Sequence, residues 1–210
     1  MKKIKPRFIT IEGMEGAGKS TNIEFISKFL TSNSVDFLRT REPGGTLVSE
    51  KIRELLLEKN TEQIVPMAEL LLVFAARAQH IEKVILPALT SGKWVLCDRF
   101  TDATYAYQGE GRCLGGERVN LLENFVQQGL QPDLTIILDV PVDLSLERVL
   151  KRGDLDRFEI ESASFFKRVR DAYYNRVESA PDRYFLIDAS KSLQDVQADI
   201  KNILDDFLNN

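Results

Sequence analysis

The sequence has few residues of the kinds that build cysteine-based metal sites or disulfide scaffolds. It contains two cysteines, one histidine and one tryptophan among 210 residues. Cys97 lies in an apolar run and Cys113 in a Gly-rich segment, without the spacing of metal ligands. We expect neither a disulfide nor a cysteine-bound metal. His80 lies in a predicted helix with no nucleophile or ligand beside it, and we interpret it as structural.

The chain also lacks a long apolar run and an excess of positive charge. No apolar segment approaches the length that crosses a membrane, and the formal net charge is −4. Because nucleic-acid-binding domains present strongly basic surfaces, we expect neither a membrane nor a nucleic acid as a partner. Residues 1–7 are basic, as the start of a signal peptide would be. A signal peptide continues with an apolar core and a cleavage site, whereas a predicted strand and a Gly-rich loop follow here. The sequence indicates a cytoplasmic protein.

A Gly-rich segment at residues 13–21 is the most informative pattern. It matches G-x-x-x-x-G-K-[ST], a loop whose backbone N–H groups surround phosphate oxygens, and the alternative is a chance Gly-rich turn. The apolar run 8–11 predicts a strand before it, and residues 20–30 predict an amphipathic helix after it. Lys19 can reach the β- and γ-phosphates, and Ser20 can ligate Mg²⁺. The predicted ATP-binding residues are Gly13, Met14, Glu15, Gly16, Ala17, Gly18, Lys19, Ser20 and Thr21.

Strand-like and helix-like segments alternate along the chain, which is typical of α/β proteins. We expect a single domain over residues 1–210, with a five-stranded parallel sheet and helices on both faces. A long helix is predicted from Pro66 to about Thr90, in which Pro87 should kink or shorten the last turn. The predicted strands are 8–11, 35–40, 93–97, 134–138 and 184–187, and a loop is expected at 109–116.

Charged residues follow the ends of the predicted strands, where parallel sheets bind ligands. Asp98 follows the third strand and can hold Mg²⁺ opposite Ser20, although a strand-end turn aspartate is the alternative. Arg99 comes next and can bind a second phosphate through two N–H groups, unless it pairs with Asp102 or another acid. The sequence thus predicts two phosphate sites beside one metal.

Two further clusters bear on the reaction. Phe74 and Arg77 share a face of the long helix and together suit a nucleobase, although core Phe and surface Arg residues are common. The basic residues within about 148–158 form either a solvated charged face or a lid that closes over the transferring phosphate and excludes water. A lid beside a second phosphate site favours a kinase of a phosphorylated acceptor over a nucleotide-dependent switch.

Several segments together resemble the bacterial thymidylate kinases, over essentially the whole chain. The segments that match are 8–21, 40–46, 74–77, 98–100, 106–109 and 152–157. The resemblance implies the P-loop nucleoside-monophosphate-kinase fold and transfer of the γ-phosphate of ATP to dTMP, with Mg²⁺. It also implies a homodimer, for which the apolar helix from Met67 is one possible interface. Another nucleoside-monophosphate kinase or a deoxynucleoside kinase on the same scaffold is the nearest alternative.

The resemblance also implies roles for residues around the base. Phe74 corresponds to a residue that stacks on thymine, and Arg77 to a thymine contact. Thr104 and Gln108 fall where the family contacts the base. Position 104 is Thr where relatives often have Ser or Asn, which leaves its part in base choice open.

Roles at the sugar, the phosphates and the lid are implied in the same way. Arg99 corresponds to the clamp on the dTMP phosphate, Tyr107 to a ring that crowds the sugar 2′ position, and Glu15 to an acid near the 3′-hydroxyl. Glu42 and Pro43 shape the acceptor pocket. Since the Gly-rich loop has no arginine, the chain resembles the subgroup with its catalytic arginine in the lid. The implied catalytic residues are Lys19, Arg99, Arg152 and Arg148, with Arg152 favoured over Arg148.

Overall fold

A computed structural model describes residues 5–59, 62–153 and 155–209. Its five strands form one parallel sheet in the order β2-β3-β1-β4-β5, which confirms the predicted sheet. The strands are β1 (Phe8–Gly13), β2 (Phe37–Arg41), β3 (Trp94–Asp98), β4 (Leu134–Asp139) and β5 (Tyr184–Asp188). Each overlaps its predicted segment, and β2 begins two residues later than expected.

Helices connect consecutive strands, as parallel pairing requires. The α-helices are α1 (Lys19–Ser32), α2 (Leu47–Leu57), α3 (Pro66–His80), α4 (Leu86–Thr90), α5 (Thr101–Thr104), α6 (Gly116–Gln127), α7 (Val142–Arg152), α8 (Ala163–Ser179) and α9 (Leu193–Asn209). Two π-helical segments join them, π1 (Ile81–Ile85) and π2 (Tyr105–Gly111). No helix in the described ranges combines the length and the apolar character that spanning a bilayer requires.

The structure differs from the sequence-based expectation at two places. The predicted helix from Pro66 to Thr90 continues through π1, and Pro87 lies in α4 directly after this π-helical segment. The loop expected at 109–116 begins later, because π2 extends to Gly111. A Cβ at Gly111 would lie 2.7 Å from the Phe165 ring, so glycine permits the close approach of π2 to α8.

Apolar side chains cover both faces of the sheet. Along β3, Trp94 and Leu96 belong to the larger core with α1, α8 and α9. Val95 and Cys97 point to the opposite face and pack with π1 and α4. Because successive residues of a strand face opposite ways, this alternation confirms helices on both faces.

The parallel sheet brings three strand ends to one edge. The backbone N–H of Glu42, just after β2, donates to the Asp98 carbonyl at 2.9 Å, and that of Arg99 donates to the Ile11 carbonyl at 3.0 Å. After the cis Glu42–Pro43 bond, Thr46 caps α2 by accepting a hydrogen bond from the Ser49 N–H at 3.0 Å. The Gly-rich loop, the segment after β2 and the segment after β3 therefore meet.

Candidate active site

The Gly-rich loop joins β1 to α1 and folds around the ammonium group of Lys19. Lys19 Nζ donates to the carbonyls of Gly13 at 3.0 Å and Met14 at 2.8 Å. A Cβ on Gly13 would lie 2.4 Å from the Leu138 carbonyl, so this position requires glycine. Burial and the charge of Arg99 together lower the pKa of Lys19 to about 8, although the charge of Glu15 acts in the opposite direction. The carbonyl partners are weak compensation for a buried ammonium, which suits it to bind a phosphate.

A cavity of about 550 Å³ lies at this edge of the sheet. It is bounded by the Gly-rich loop, the segments after β2 and β3, the helices α2 and α3, π2 and the predicted lid. The predicted site residues that line it are Glu15, Gly16, Gly18, Lys19, Ser20, Thr21, Glu42, Pro43, Arg77, Asp98, Arg99, Thr104, Tyr107, Gln108 and Arg152. Gly13, Met14 and Ala17 are buried within the loop, and Phe74 and Arg148 are not among the lining residues.

The position of Phe74 corrects the expectation of an aromatic platform for a base. Val73 lines the cavity one helical turn before Arg77, whereas Phe74 packs with Leu70 and Val119. The guanidinium of Arg77 lies 4.7 Å from the centre of the Phe74 ring. Residues three and four apart both neighbour Arg77 on the helix surface. Phe74 therefore packs against Arg77 inside the protein, and Val73 is the residue that faces the cavity.

Arg77 is fully buried and held by two neighbours. Its Nε donates to Glu42 Oε2 at 2.7 Å, and its Nη2 donates to Thr104 Oγ1 at 2.9 Å. Among the described residues, Nη1 of Arg77 has no hydrogen-bond partner. Since buried donors are normally paired, Nη1 is a donor ready for an acceptor on a ligand.

His80 has the structural role expected of it. Its ring is buried, with Nδ1 2.9 Å from Glu42 Oε1 and Nε2 2.7 Å from Thr40 Oγ1. A Cβ at Gly45 would lie 2.5 Å from the His80 ring, so the turn after β2 packs directly on it. His80 thereby orients Glu42, which in turn holds Arg77.

Arg99 has a backbone φ of 66°, an unusual conformation for a residue with a side chain. Its Nη1 donates to the Gly13 carbonyl at 2.9 Å, and its Nη2 donates to Glu15 Oε1 at 2.6 Å. The ion-pair alternative thus applies with Glu15, because Asp102 pairs with Arg176 and Arg183 instead. The Arg99 guanidinium is nevertheless at the cavity wall, beside the Gly-rich loop.

Tyr107 and Glu15 form one unit with Arg99. The Tyr107 hydroxyl donates to Glu15 Oε2, and Arg99 lies 4.9 Å from the centre of the Tyr107 ring. Burial alone would raise the pKa of Glu15, but the charges of Arg99 and Lys19 outweigh it and lower that pKa. Burial raises the pKa of Tyr107 well above its usual value. The site therefore presents an ionised Glu15 and a protonated Tyr107.

Sequence reasoning missed Arg53, which projects from α2 into the same cavity. Its Nη1 donates to the Pro43 carbonyl at 3.1 Å. Burial lowers the pKa of Arg53, and the charges of Arg41 and Arg99 act in the same direction. In the sequence Arg53 is one of several charged residues on a half-exposed helix. Only the docking of α2 against the strand ends brings it to the site.

The residues predicted to hold Mg²⁺ fit a divalent cation. The Asp98 Oδ1 atom is buried and has no hydrogen-bond partner among the described residues, and Ser20 lines the same cavity. Within the described ranges, no group of three or more His, Cys, Asp or Glu side chains could hold a metal alone. Mg²⁺ characteristically binds to one or two protein oxygens together with substrate phosphates. One carboxylate and one hydroxyl match that pattern.

The predicted lid arginines have separate environments. Arg152 lines the cavity and pairs with Glu159. Arg148 Nη1 instead donates to the carbonyls of Gly16 at 3.1 Å and Ala189 at 3.2 Å. Asp154, which belongs to the predicted lid, lies outside the described residues, as do the first four residues of the basic N-terminus.

Arg157, in the predicted lid, contacts the end of α2 and a carboxylate of α3. Its Nε donates to the Leu56 carbonyl at 2.8 Å, and its backbone N–H donates to the Leu57 carbonyl at 3.3 Å. Its guanidinium also forms an ion pair with Glu69 at 2.7 Å. The carbonyls at the end of a helix lack partners within the helix and attract positive charge. Arg157 thus caps the end of α2 and does not line the cavity.

The sheet order, the phosphate-binding loop after β1 and the cavity beside it define a P-loop protein with the nucleoside-monophosphate-kinase fold. The family model described as thymidylate kinase matches residues 11–200. A thymidylate kinase of Teredinibacter turnerae is 57% identical, over 96% of this chain and 98% of that protein. A thymidylate kinase of Pseudomonas putida is also 57% identical, over 94% of each chain. The chain belongs to the thymidylate kinase family.

Proposed function

We propose that this protein transfers the γ-phosphoryl group of ATP to dTMP, giving dTDP and ADP. One observation supports this most strongly. The Gly-rich loop with Lys19 and the two arginines Arg99 and Arg53 adjoin a single cavity. Phosphoryl transfer depends mainly on positioning and on electrostatic stabilisation of the phosphates. A cavity with a nucleoside triphosphate loop on one side and two arginines on the other suits two phosphorylated substrates.

The donor end of the site uses the loop after β1. Backbone N–H groups of residues 13–21 and the Lys19 ammonium bind the β- and γ-phosphates of ATP. Mg²⁺, held by Asp98 and Ser20, neutralises phosphate charge when it is bound. Lys19 exchanges its two carbonyl partners for phosphate oxygens. The phosphate of dTMP binds to Arg99, with Arg53 on its other side.

The acceptor base lies against Arg77, Thr104 and Gln108. The unpaired Nη1 of Arg77 donates to a carbonyl oxygen of the base. Gln108 lines the same cavity, with its Nε2 already engaged by Glu69 at 2.8 Å. The donor on Arg77 complements the C4 carbonyl of thymine, and the acceptor Oε1 of Gln108 complements its N3–H. Cytosine has an amino group and an unprotonated N3 at these positions, so it would place donor against donor and acceptor against acceptor.

The sugar lies between the base and the phosphates. We assign Tyr107 to the side of the sugar 2′ position, where its ring leaves no room for a hydroxyl, and Glu15 to the 3′-hydroxyl. The Tyr107 hydroxyl donates to Glu15, so the two side chains are oriented before substrate binds. Preorganised groups of this kind lose little freedom on binding. The pair therefore favours a deoxyribose.

Residues 148–158 act as a lid, and Arg152 is the arginine that stabilises the transferring phosphoryl group. Arg152 lines the cavity and its side chain is 61% exposed, so its guanidinium has room to reach the transferring phosphoryl group. Arg148 is committed to two carbonyls, which favours a role in holding the Gly-rich loop. Closure of the segment excludes the water that would otherwise accept the phosphoryl group.

We also propose that the protein is a cytoplasmic homodimer, with an interface formed by exposed apolar residues of α3 and α6. Phe125 is 79% exposed and Leu121 71% exposed on α6, and Leu71 of α3 is 51% exposed. Side chains of α3 and α6 pack together at Leu70 and Val119. An exposed aromatic among other apolar residues is typical of a surface that binds a partner.

Measuring ADP release with ATP and Mg²⁺ against dTMP, thymidine and no acceptor tests the proposed reaction. We expect turnover with dTMP alone, because Arg99 and Arg53 need a phosphate to bind. Equal turnover with thymidine would remove the acceptor phosphate site. Turnover without an acceptor, or none with dTMP, would favour a nucleotide-dependent switch.

A further inference from the structure

Glu69 is a fully buried carboxylate on α3 to which no step of the reaction above assigns a role. Its Oε1 accepts a hydrogen bond from Gln108 Nε2 at 2.8 Å. Its Oε2 lies 2.7 Å from the Arg157 guanidinium, and Arg112 Nε lies 3.2 Å from both oxygens. Two guanidinium groups thus supply the positive charge that a buried carboxylate requires, and the remaining partner is a neutral amide at the cavity wall.

The side-chain amide of Gln108 has only one permitted orientation. An ionised carboxylate accepts hydrogen bonds and donates none, whereas a glutamine amide has a donor branch and an acceptor branch of nearly equal size. Facing Glu69, Gln108 must therefore direct its Nε2 toward α3. The branch that remains is Oε1, so the group that Gln108 offers to the cavity is an acceptor.

We propose that Glu69 is a positioning residue that sets base selectivity by fixing the amide orientation of Gln108. Beside the donor Nη1 of Arg77, an acceptor at Gln108 selects a base edge with a ring N–H next to a carbonyl. A reversed amide would place two donors side by side and would disfavour that edge. This inference rests on the proposed function, in which the base of the monophosphate lies against Arg77 and Gln108.

The variant Glu69→Gln tests the inference, because the two arginines dictate how a glutamine at position 69 is oriented. Its oxygen faces Arg112 and Arg157, and its NH₂ then faces Gln108. Gln108 must turn its own oxygen toward α3 and present Nε2 to the cavity. We expect a higher KM for dTMP, and at least about a tenfold lower ratio of kcat/KM for dTMP to that for 5-methyl-dCMP, since a buried donor meets a donor.

Three control variants separate positioning from general damage to the fold. Glu69→Asp keeps an acceptor-only group and should retain the selectivity ratio, even where it unfolds at a lower temperature. Arg157→Gln removes the cation on the other oxygen and should leave the ratio unchanged. In a Gln108→Ala background, adding Glu69→Gln should have no further effect on the ratio. Thermal unfolding of every variant is followed by circular dichroism, and kinetics are measured well below each midpoint.

The outcomes distinguish this inference from the proposed function. If Gln108→Ala alone loses selectivity and Glu69→Gln keeps it, the role of Glu69 is overturned and the base site stands. If Glu69→Gln lowers the ratio equally with and without Gln108, Glu69 does not act through Gln108 and the inference is likewise overturned. If Gln108→Ala keeps full selectivity, Gln108 does not read the base and the inference fails, whereas the proposed function stands as long as dTMP is still turned over.

Discussion

At the residue scale, Lys19 is a buried cation whose own protein partners are two backbone carbonyls. Burial and the charge of Arg99 lower its pKa to about 8, so the ammonium is only partly protonated in mildly alkaline solution. Phosphates of ATP favour the charged form and raise this pKa on binding. ATP binding near pH 8 should therefore be accompanied by proton uptake.

We expect an uptake of about half a proton per ATP at pH 8, and a weaker affinity as the pH rises above 8. Calorimetry in two buffers that differ in ionisation enthalpy measures this uptake. Lys19→Arg is the matched control, because a guanidinium does not titrate in this range and should abolish the uptake. The same uptake in the control would assign the proton to another group, such as Glu12, whose pKa burial raises to about 8.

The two lid arginines also differ at the residue scale. Arg152 adjoins the cavity, whereas Arg148 donates to the Gly16 and Ala189 carbonyls. We expect Arg152→Ala to lower kcat on the order of 10³-fold with little change in ATP binding, because the arginine acts on transition-state charge. Steady-state kinetics measure kcat, and titration with a fluorescent ATP analogue measures the affinity for ATP. If Arg148→Ala shows this pattern and Arg152→Ala does not, the catalytic role belongs to Arg148.

At the element scale, Arg157 joins the predicted lid to the end of α2 and to Glu69 on α3. Arg157→Gln removes a charged donor from buried acceptors and should lower the free energy of unfolding by about 2 kcal/mol. Urea denaturation measures the change. Lys151→Gln is the control, since it breaks only the exposed pair with Glu147 and should barely move the midpoint. Equal midpoints for both variants would show that Arg157 does not hold the lid.

Elements whose signals are local were predictable from the sequence. The strand, glycine loop and helix at residues 8–32 follow from apolar periodicity and from glycines that the backbone requires. Phe74 was expected to face the base, but it packs inside the protein. Helical spacing places both Val73 and Phe74 beside Arg77, and only the docking of α6 decides which of the two side chains is covered. Glu69 and Arg53 have no local signature, since their partners lie on other elements.

At the scale of the whole molecule, parallel pairing explains why distant segments converge. Predicting five parallel strands was sufficient to place Glu42 and Asp98 at one edge, and the register of β2 with β3 confirms it. The sequence indicated a role for α3 through Arg77, but it could not indicate that α2 forms another wall of the cavity. Charge composition led us to expect no nucleic-acid partner, but the contacts that select a base depend on the packing of several elements.

The proposed homodimer is a prediction at this scale. Phe125→Arg places a charge at the exposed aromatic residue of α6 and should shift the protein from dimer to monomer at micromolar concentration. Sedimentation equilibrium measures the mass. Leu193→Arg, on an exposed apolar residue of α9, is the control and should leave a dimer. Dimers of both variants, or a monomeric wild type, would contradict an interface at α6.

The most direct test compares kcat/KM for dTMP and 5-methyl-dCMP with the unmodified protein. These substrates share the sugar, the phosphate and the methyl group, and they differ only at the base edge that faces Arg77 and Gln108. With Arg77 as the donor and Gln108 as the acceptor, we predict a preference for dTMP on the order of 10³-fold or more, because a cytosine base would leave these buried polar groups unpaired. Comparable values, or a preference for 5-methyl-dCMP, would contradict recognition of the base by these two residues.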